Sequence, residues 1–232
     1  MEKKKINVGK PILIILAVIL VIFIMLTLRK VIIINHLDKK LAKQIENTNV
    51  YVKTEEEDVI IEAYRKENTT KYIMYNKKSN IKLTQITSDT KRLLYIDDEE
   101  EKRMYEYPGD GENEFFVQNQ NIIPNYVAST TFVQKLLNSI GSRITSKQIG
   151  EKQCYVINSL SNPNILYDEN ATSLAIYFEK QTGLPIKMVE TIKENSGKKE
   201  KVTTYQYQFN QVTQQDVAPL EESQYNKQEN NE

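Results

Sequence analysis

The chain opens with an apolar run that has no period: Pro11 to Leu28, PILIILAVILVIFIMLTL, carries no charge. At about 1.5 Å of rise per residue it extends about 27 Å, close to the hydrocarbon thickness of a bilayer. Beyond it a helical period sets in. Ile34, Leu37, Leu41 and Ile45 recur three and four residues apart, which predicts an amphipathic helix to about Asn47. That helix either continues from the span or bends just after it, and Asp38, Lys39, Lys40, Lys43 and Glu46 read as its solvated face.

The period then changes to two. Val59, Ile61 and Ala63 alternate in DVIIEAYRK, and KYIMYN, NIKLTQIT, KRLLYID and KRMYEY follow between short polar turns. Strands at this spacing predict an antiparallel meander, ended by the Pro/Gly loop YPGDGEN. A second helix is expected in NYVASTTFVQKLLNSIG, where Tyr126, Val133, Leu136, Leu137 and Ile140 share a side. Ser129 or Thr130 would cap its start and Gly141 would stand just past its end.

Alternation resumes over residues 153–160, 173–179, 184–193 and 201–210. The last of these sets Thr203, Tyr205, Tyr207 and Phe209 against Val202, Thr204, Gln206 and Gln208. After Pro219 the tail is polar and expected to fray. The expected organisation is a basic flank (1–10), a transmembrane helix (11–28), a juxtamembrane and first amphipathic helix (29–50), a sheet domain (51–220) and a disordered tail (221–232). The fold class is α+β: one large curved antiparallel sheet, an unclosed barrel, with two covering helices behind one transmembrane helix.

The apolar run is too long for a signal-peptide core, and its exit LTLRKVIIINHL has no small-residue cleavage site, so it reads as an uncleaved anchor. Lys3, Lys4, Lys5 and Lys10 precede it, while Arg29, Lys30, Lys39, Lys40 and Lys43 follow. The positive-inside rule is nearly tied. A short basic flank before a lone span favours a cytoplasmic N terminus and a single-pass protein with an extracytoplasmic domain.

The order helix, meander, helix, meander closes on YFEKQTGLPIKMVE and YQYQFNQVTQQDVAPL, and it resembles the LolA-like lipoprotein-carrier superfamily. The likeness rests on Tyr177, Glu179, Lys180, Thr182, Gly183, Leu184, Pro185 and Lys187 in one hairpin. Residues 205–210 lead from there to Val212, Asp216 and Pro219. The resemblance implies a concave apolar surface that binds acyl chains or a partner segment. Relatives include soluble lipoprotein carriers, envelope-stress regulators, and sporulation or germination lipoproteins. A tethered chain departs from the carriers, because it cannot shuttle cargo.

On this reading the groove is lined by Val156, Ile176, Phe178, Ile186, Met188, Tyr205, Tyr207 and Phe209, although the same residues would equally form a filled core. Thr182, Gly183, Leu184 and Pro185 form a structural hairpin corner, with Phe178 and Ile186 on its arms pointing inward. The ligand would be a lipid or lipoprotein; the alternative is a protein partner in the cell envelope, docked as a sensor or as an accessory subunit of a cell-wall or spore-cortex enzyme.

Composition removes other classes. Thirty-one basic and 31 acidic residues cancel, leaving no field to attract nucleic acid. His36 is the single histidine and Cys154 the single cysteine, so neither an internal disulfide nor a cysteine metal cluster can form. The acidic runs at 55–58 and 97–101 lack calcium-loop spacing and fall at turns. PGDGEN lacks the Gly-Lys-Ser/Thr of a phosphate loop. No catalytic residue, metal or cofactor is expected, and the chain reads as a binding protein and not an enzyme. The 14 tyrosines fit a half-buried sheet or a lipid groove alike.

Overall fold

The computed structural model describes residues 9–108, 122–126, 132–159, 171–194 and 197–228. The glycines of PGDGEN, the candidate caps Ser129 and Thr130, and Leu160 lie outside the described residues. Helix α1 (Gly9–Ile45) is unbroken for 37 residues: the apolar run and the first amphipathic helix are one element. It is long and apolar enough to cross a membrane, and residues 12–26 are all exposed. From Thr27 onward one stripe turns inward, through Val31, Ile34, Leu37 and Leu41, at the three-and-four spacing of a helix packed on one side.

Among the described residues twelve strands form one sheet: β1 (Asn49–Glu55), β2 (Val59–Lys66), β3 (Thr69–Asn76), β4 (Ile81–Thr87), β5 (Lys91–Asp97), β6 (Lys102–Pro108), β7 (Ser142–Ile149), β8 (Lys152–Ser159), β9 (Ala171–Glu179), β10 (Pro185–Glu194), β11 (Gly197–Phe209) and β12 (Asn226–Lys227). Their order is β12-β6-β5-β4-β3-β2-β1-β11-β10-β9-β8-β7, antiparallel throughout except where β12 runs parallel to β6. The meanders join at β1 and β11, where Val52 faces Tyr207 and Val50 faces Phe209. Neither β1 nor β7 is among the strands expected from the alternation. β1 hides between a helix and an acidic run; β7, SRITSKQI, is an edge strand with both faces mostly wet, so its apolar period is faint.

Two cores form on opposite faces. On the helix side, Leu37 and Leu41 of α1 pack with Val50, Val52, Ala63, Ile176, Phe178 and Met188. On the outer face, Ile86, Leu93, Tyr95 and Met104 are covered by Leu220 and Tyr225. This second core corrects the expectation of a frayed tail: residues 221–228 hold a 3-10 turn (Glu222–Gln224) and β12. The Tyr225 ring meets Tyr95 edge-on at 5.0 Å, and Lys227 pairs with Glu106 at 2.8 Å. Lys71 donates to the Ala218 carbonyl at 3.0 Å, fastening the segment further up.

Helix α2 (Phe132–Gly141) runs straight into β7. Gly141 is its last residue and not a left-handed residue beyond it. The Lys30 ammonium of α1 donates to the Ser139 carbonyl at 3.0 Å, an acceptor that the helix end leaves open, and to the Ser142 carbonyl of β7 at 2.6 Å. Lys135 returns the contact, donating to Asn35 at 2.9 Å and pairing with Asp38 at 2.8 Å.

Burial sets one pH limit. It pushes the Tyr72 and Tyr95 hydroxyls up to about 12 from an ordinary 10. The folded state therefore holds these protons after the unfolded chain has released them. Their contribution to stability is intact below pH 10 and is lost as pH rises from about 10 towards 12. The melting temperature should fall across that window, and circular dichroism melts taken from pH 9 to 12 check it.

Candidate functional site

The TGLP corner between β9 and β10 is the best-defined local structure in the family-like segment. Thr182 donates to the Glu179 carboxylate at 2.6 Å and accepts from the Leu184 amide at 3.2 Å. The Gly183 amide donates to the Glu179 carbonyl at 2.8 Å, and the Glu179 amide to the Leu184 carbonyl at 2.9 Å. Gly183 has φ of +78°, and a Cβ there would stand 2.7 Å from the Lys40 Cβ and 2.9 Å from the Leu37 carbonyl. The glycine is thus needed twice, for its backbone and for the approach of α1. Lys40 completes the joint by donating to the Lys180 carbonyl at 2.6 Å. The corner is the bearing on which the helix rests.

The groove candidates divide by face. Ile176, Phe178, Met188 and Tyr205 share the core with Leu37 and Leu41, and Tyr207 and Phe209 pack against it half-buried. Tyr207 donates to the Pro185 carbonyl at 2.8 Å, and burial holds its hydroxyl well above the usual tyrosine range. Val156 lies elsewhere. It pairs with Tyr177, and the alternation puts both on the outer face, while Tyr155 and Ile157 point towards α1. Ile186 sits at a register shift between Pro185 and Lys187. There Pro185, not Ile186, opposes Phe178, so the corner's second inward arm is Pro185 followed by Met188. The helix-facing surface is filled by α1 where these candidates lie.

An open space exists one step towards the N terminus of α1. A pocket of about 500 Å³ lies between the helix and strands β7 and β8. Met25, Leu28, Arg29 and Ile32 form its helix wall, and Ser146, Tyr155 and Lys180 its sheet wall. The Lys180 ammonium stands 4.6 Å from the Tyr155 ring centroid, a cation–π contact. Sequence reading missed this site. Arg29 registers there only as an orientation charge, and Tyr155 and Lys180 are brought to it by a pairing that no local pattern announces.

The remaining reactive residues are quiet. His36 is exposed on α1. Cys154 is buried, and burial first, then Glu179, pushes its thiol up, the opposite of what a nucleophile requires. Both acidic runs are paired surface turns: Asp58 with Lys78 at 2.6 Å, Glu56 with Lys201 at 3.1 Å, and Asp98 with Arg103 at 3.2 Å. Among the described residues no group of three or more His, Cys, Asp or Glu could hold a metal ion. Farther along the family-like segment, the Asn49 side chain bonds both backbone groups of Val212, and Asp216 accepts from the amide and hydroxyl of Thr213 at 2.7 Å each.

No family model and no curated protein matches the sequence. Solved structures do. An uncharacterized conserved protein from Thermus thermophilus aligns at a TM-score of 0.45 and 9% identity, over 84% of this chain and 97% of that one. A putative outer membrane lipoprotein-sorting protein domain from Vibrio parahaemolyticus aligns at 0.33 and 8%, over 79% and 95%. A LolA superfamily protein from Nitrosomonas europaea aligns at 0.27 and 10%, over 79% and 96%. The family expected from the hairpin is thus among the similar structures, and the similarity concerns fold alone.

Replacing Gly183 by alanine tests the corner. The left-handed backbone alone should cost about 1–3 kcal/mol, and the clash with α1 should add to it. Thermal melts of the full chain should show the loss, whereas Gly150→Ala, with open space around its Cβ, should forfeit only the backbone share.

Proposed function

We propose that this chain is a membrane-anchored, extracytoplasmic and non-catalytic binding protein, single-pass, that holds a lipid or an acylated apolar segment. The observation that carries the reading is the pocket beside α1. Its helix wall is built from Met25, Leu28 and Ile32, which continue the exposed apolar surface of the span, so a chain can enter it from the bilayer without crossing water. The concave-face site inferred by analogy would need α1 to vacate positions now occupied by Leu37 and Leu41, and the pocket needs no such displacement.

A protein-docking reading has one observation of its own. Among the described residues no strand pairs with the outer edge of β7, which leaves a row of backbone donors and acceptors suited to strand addition. The two readings separate in one experiment. The full chain is extracted from membranes, washed extensively in detergent, and its retained lipid measured by mass spectrometry beside a Ser146→Trp variant, whose indole would occupy the pocket. Retention near one lipid per chain, lost in the variant, is the expected result. Equal retention by both proteins, or none by either, would overturn the lipid reading in favour of docking at β7. The external placement has its own check: protease added to intact cells should digest residues 46–232 and leave the span.

A further inference from the structure

We infer that the pocket is a headgroup site for an anionic membrane lipid, with Arg29 and Lys180 as the two cations that hold its phosphate. This rests on the lipid reading above and adds the chemistry of the ligand. Its first support is level. The outward face of α1 carries Met25, Leu28 and Ile32, exposed by 65%, 46% and 67%, is interrupted only by the exposed Arg29, and turns polar at the exposed His36 and Lys39. The water boundary of a bilayer therefore falls just beyond Ile32. Arg29, three residues earlier, reaches the phosphate layer by extending its side chain. Ile140, 48% exposed, closes α2 beside the Lys30 clamp, setting a second apolar side chain near the same level.

Charge supplies the second support. Neither Arg29 nor Lys180 has a carboxylate partner among the described residues. Glu179, the residue before Lys180, is engaged by Thr182 at 2.6 Å and Lys152 at 3.5 Å. Two like charges therefore line one open pocket, and a bound anion would neutralise both. Lys180 is also held ready: its amide donates to the Gln153 carbonyl at 2.8 Å, its carbonyl accepts from Lys40, and its ammonium stands over Tyr155. A guanidinium matches phosphate oxygens in pairs, while the ammonium acts as a point charge. The apolar wall selects the source, because a free phosphate ester would leave Met25, Leu28 and Ile32 unused, whereas a lipid covers them with its chains.

The test uses the full-length chain in nanodiscs of equal phosphatidylcholine and phosphatidylglycerol, released for native mass spectrometry. Retained phosphatidylglycerol should exceed phosphatidylcholine, by about five-fold for each cation that contributes near the surface. Arg29→Gln with Lys180→Gln should bring the ratio to parity at unchanged helicity and melting temperature, while Lys147→Gln, on the Tyr177 side of the sheet, should leave the preference intact. Soluble glycerol phosphate at millimolar concentration should not displace the lipid. Parity in the wild type, an unchanged preference in the double variant, or displacement by glycerol phosphate would each overturn the inference. Lipid retained without headgroup preference would leave the broader reading standing; retention of none would remove both.

Discussion

The rest of the structure depends on α1 being one unbroken helix with two kinds of surface. Over residues 12–26 every side is exposed and apolar; from Thr27 a single stripe is buried against the sheet. Leu37 and Leu41 are fully buried there, and each contributes about 1.5–3 kcal/mol by leaving water. The helix therefore cannot pivot on the domain without tearing these contacts from the sheet. Lys30 and Lys40 reinforce the join through backbone carbonyls, and Lys135 ties α2 to α1 through Asn35 and the half-buried Asp38 carboxylate, where a flexible linker would have left the domain free to reorient.

That constraint explains the division of the sheet surface. The chain's own helix occupies the part of the sheet's inner face that bears Ile176, Phe178 and Met188. The TGLP corner shows how close the contact is: a Cβ at 183 would stand 2.9 Å from the Leu37 carbonyl of the helix. What remains open lies where the helix face has not yet turned inward, between residues 25–33 of α1 and β7–β8. The packing that seats the helix on the sheet thus leaves the open space beside the apolar run.

How much of this could be read from residues alone follows from the range of each signal. The span, the helical period of α1 and most strands are local patterns, and they were legible. The corner was legible because Gly183 and Pro185 are local backbone constraints. Two strands were not: Val50 and Val52 of β1 alternate too briefly between a helix and an acidic run, and β7 is too polar. Val156 went to the wrong face because alternation tells which residues share a side without telling which side meets the helix; that needs the pairing with Tyr177. The tail misled for a related reason. Tyr225 and Lys227 look solvated in EESQYNKQENNE until Tyr95 and Glu106 are known to lie beneath them. The pocket, assembled from α1, β7, β8 and a turn, had no local signal at all.

Distance along the helix then bears on what an anchored domain of this kind can hold. Leu37 lies about 14 Å along the axis from Leu28, the end of the apolar run. A lipid reaching the helix-facing core would have to leave the bilayer by that distance, exposing methylenes at about 0.8 kcal/mol each until it was covered again. The pocket beside α1 begins at Met25, inside the apolar run. On the proposed reading a lipid held there would stay at its depth in the bilayer and avoid that cost, so a headgroup contact of a few kcal/mol would suffice to hold it.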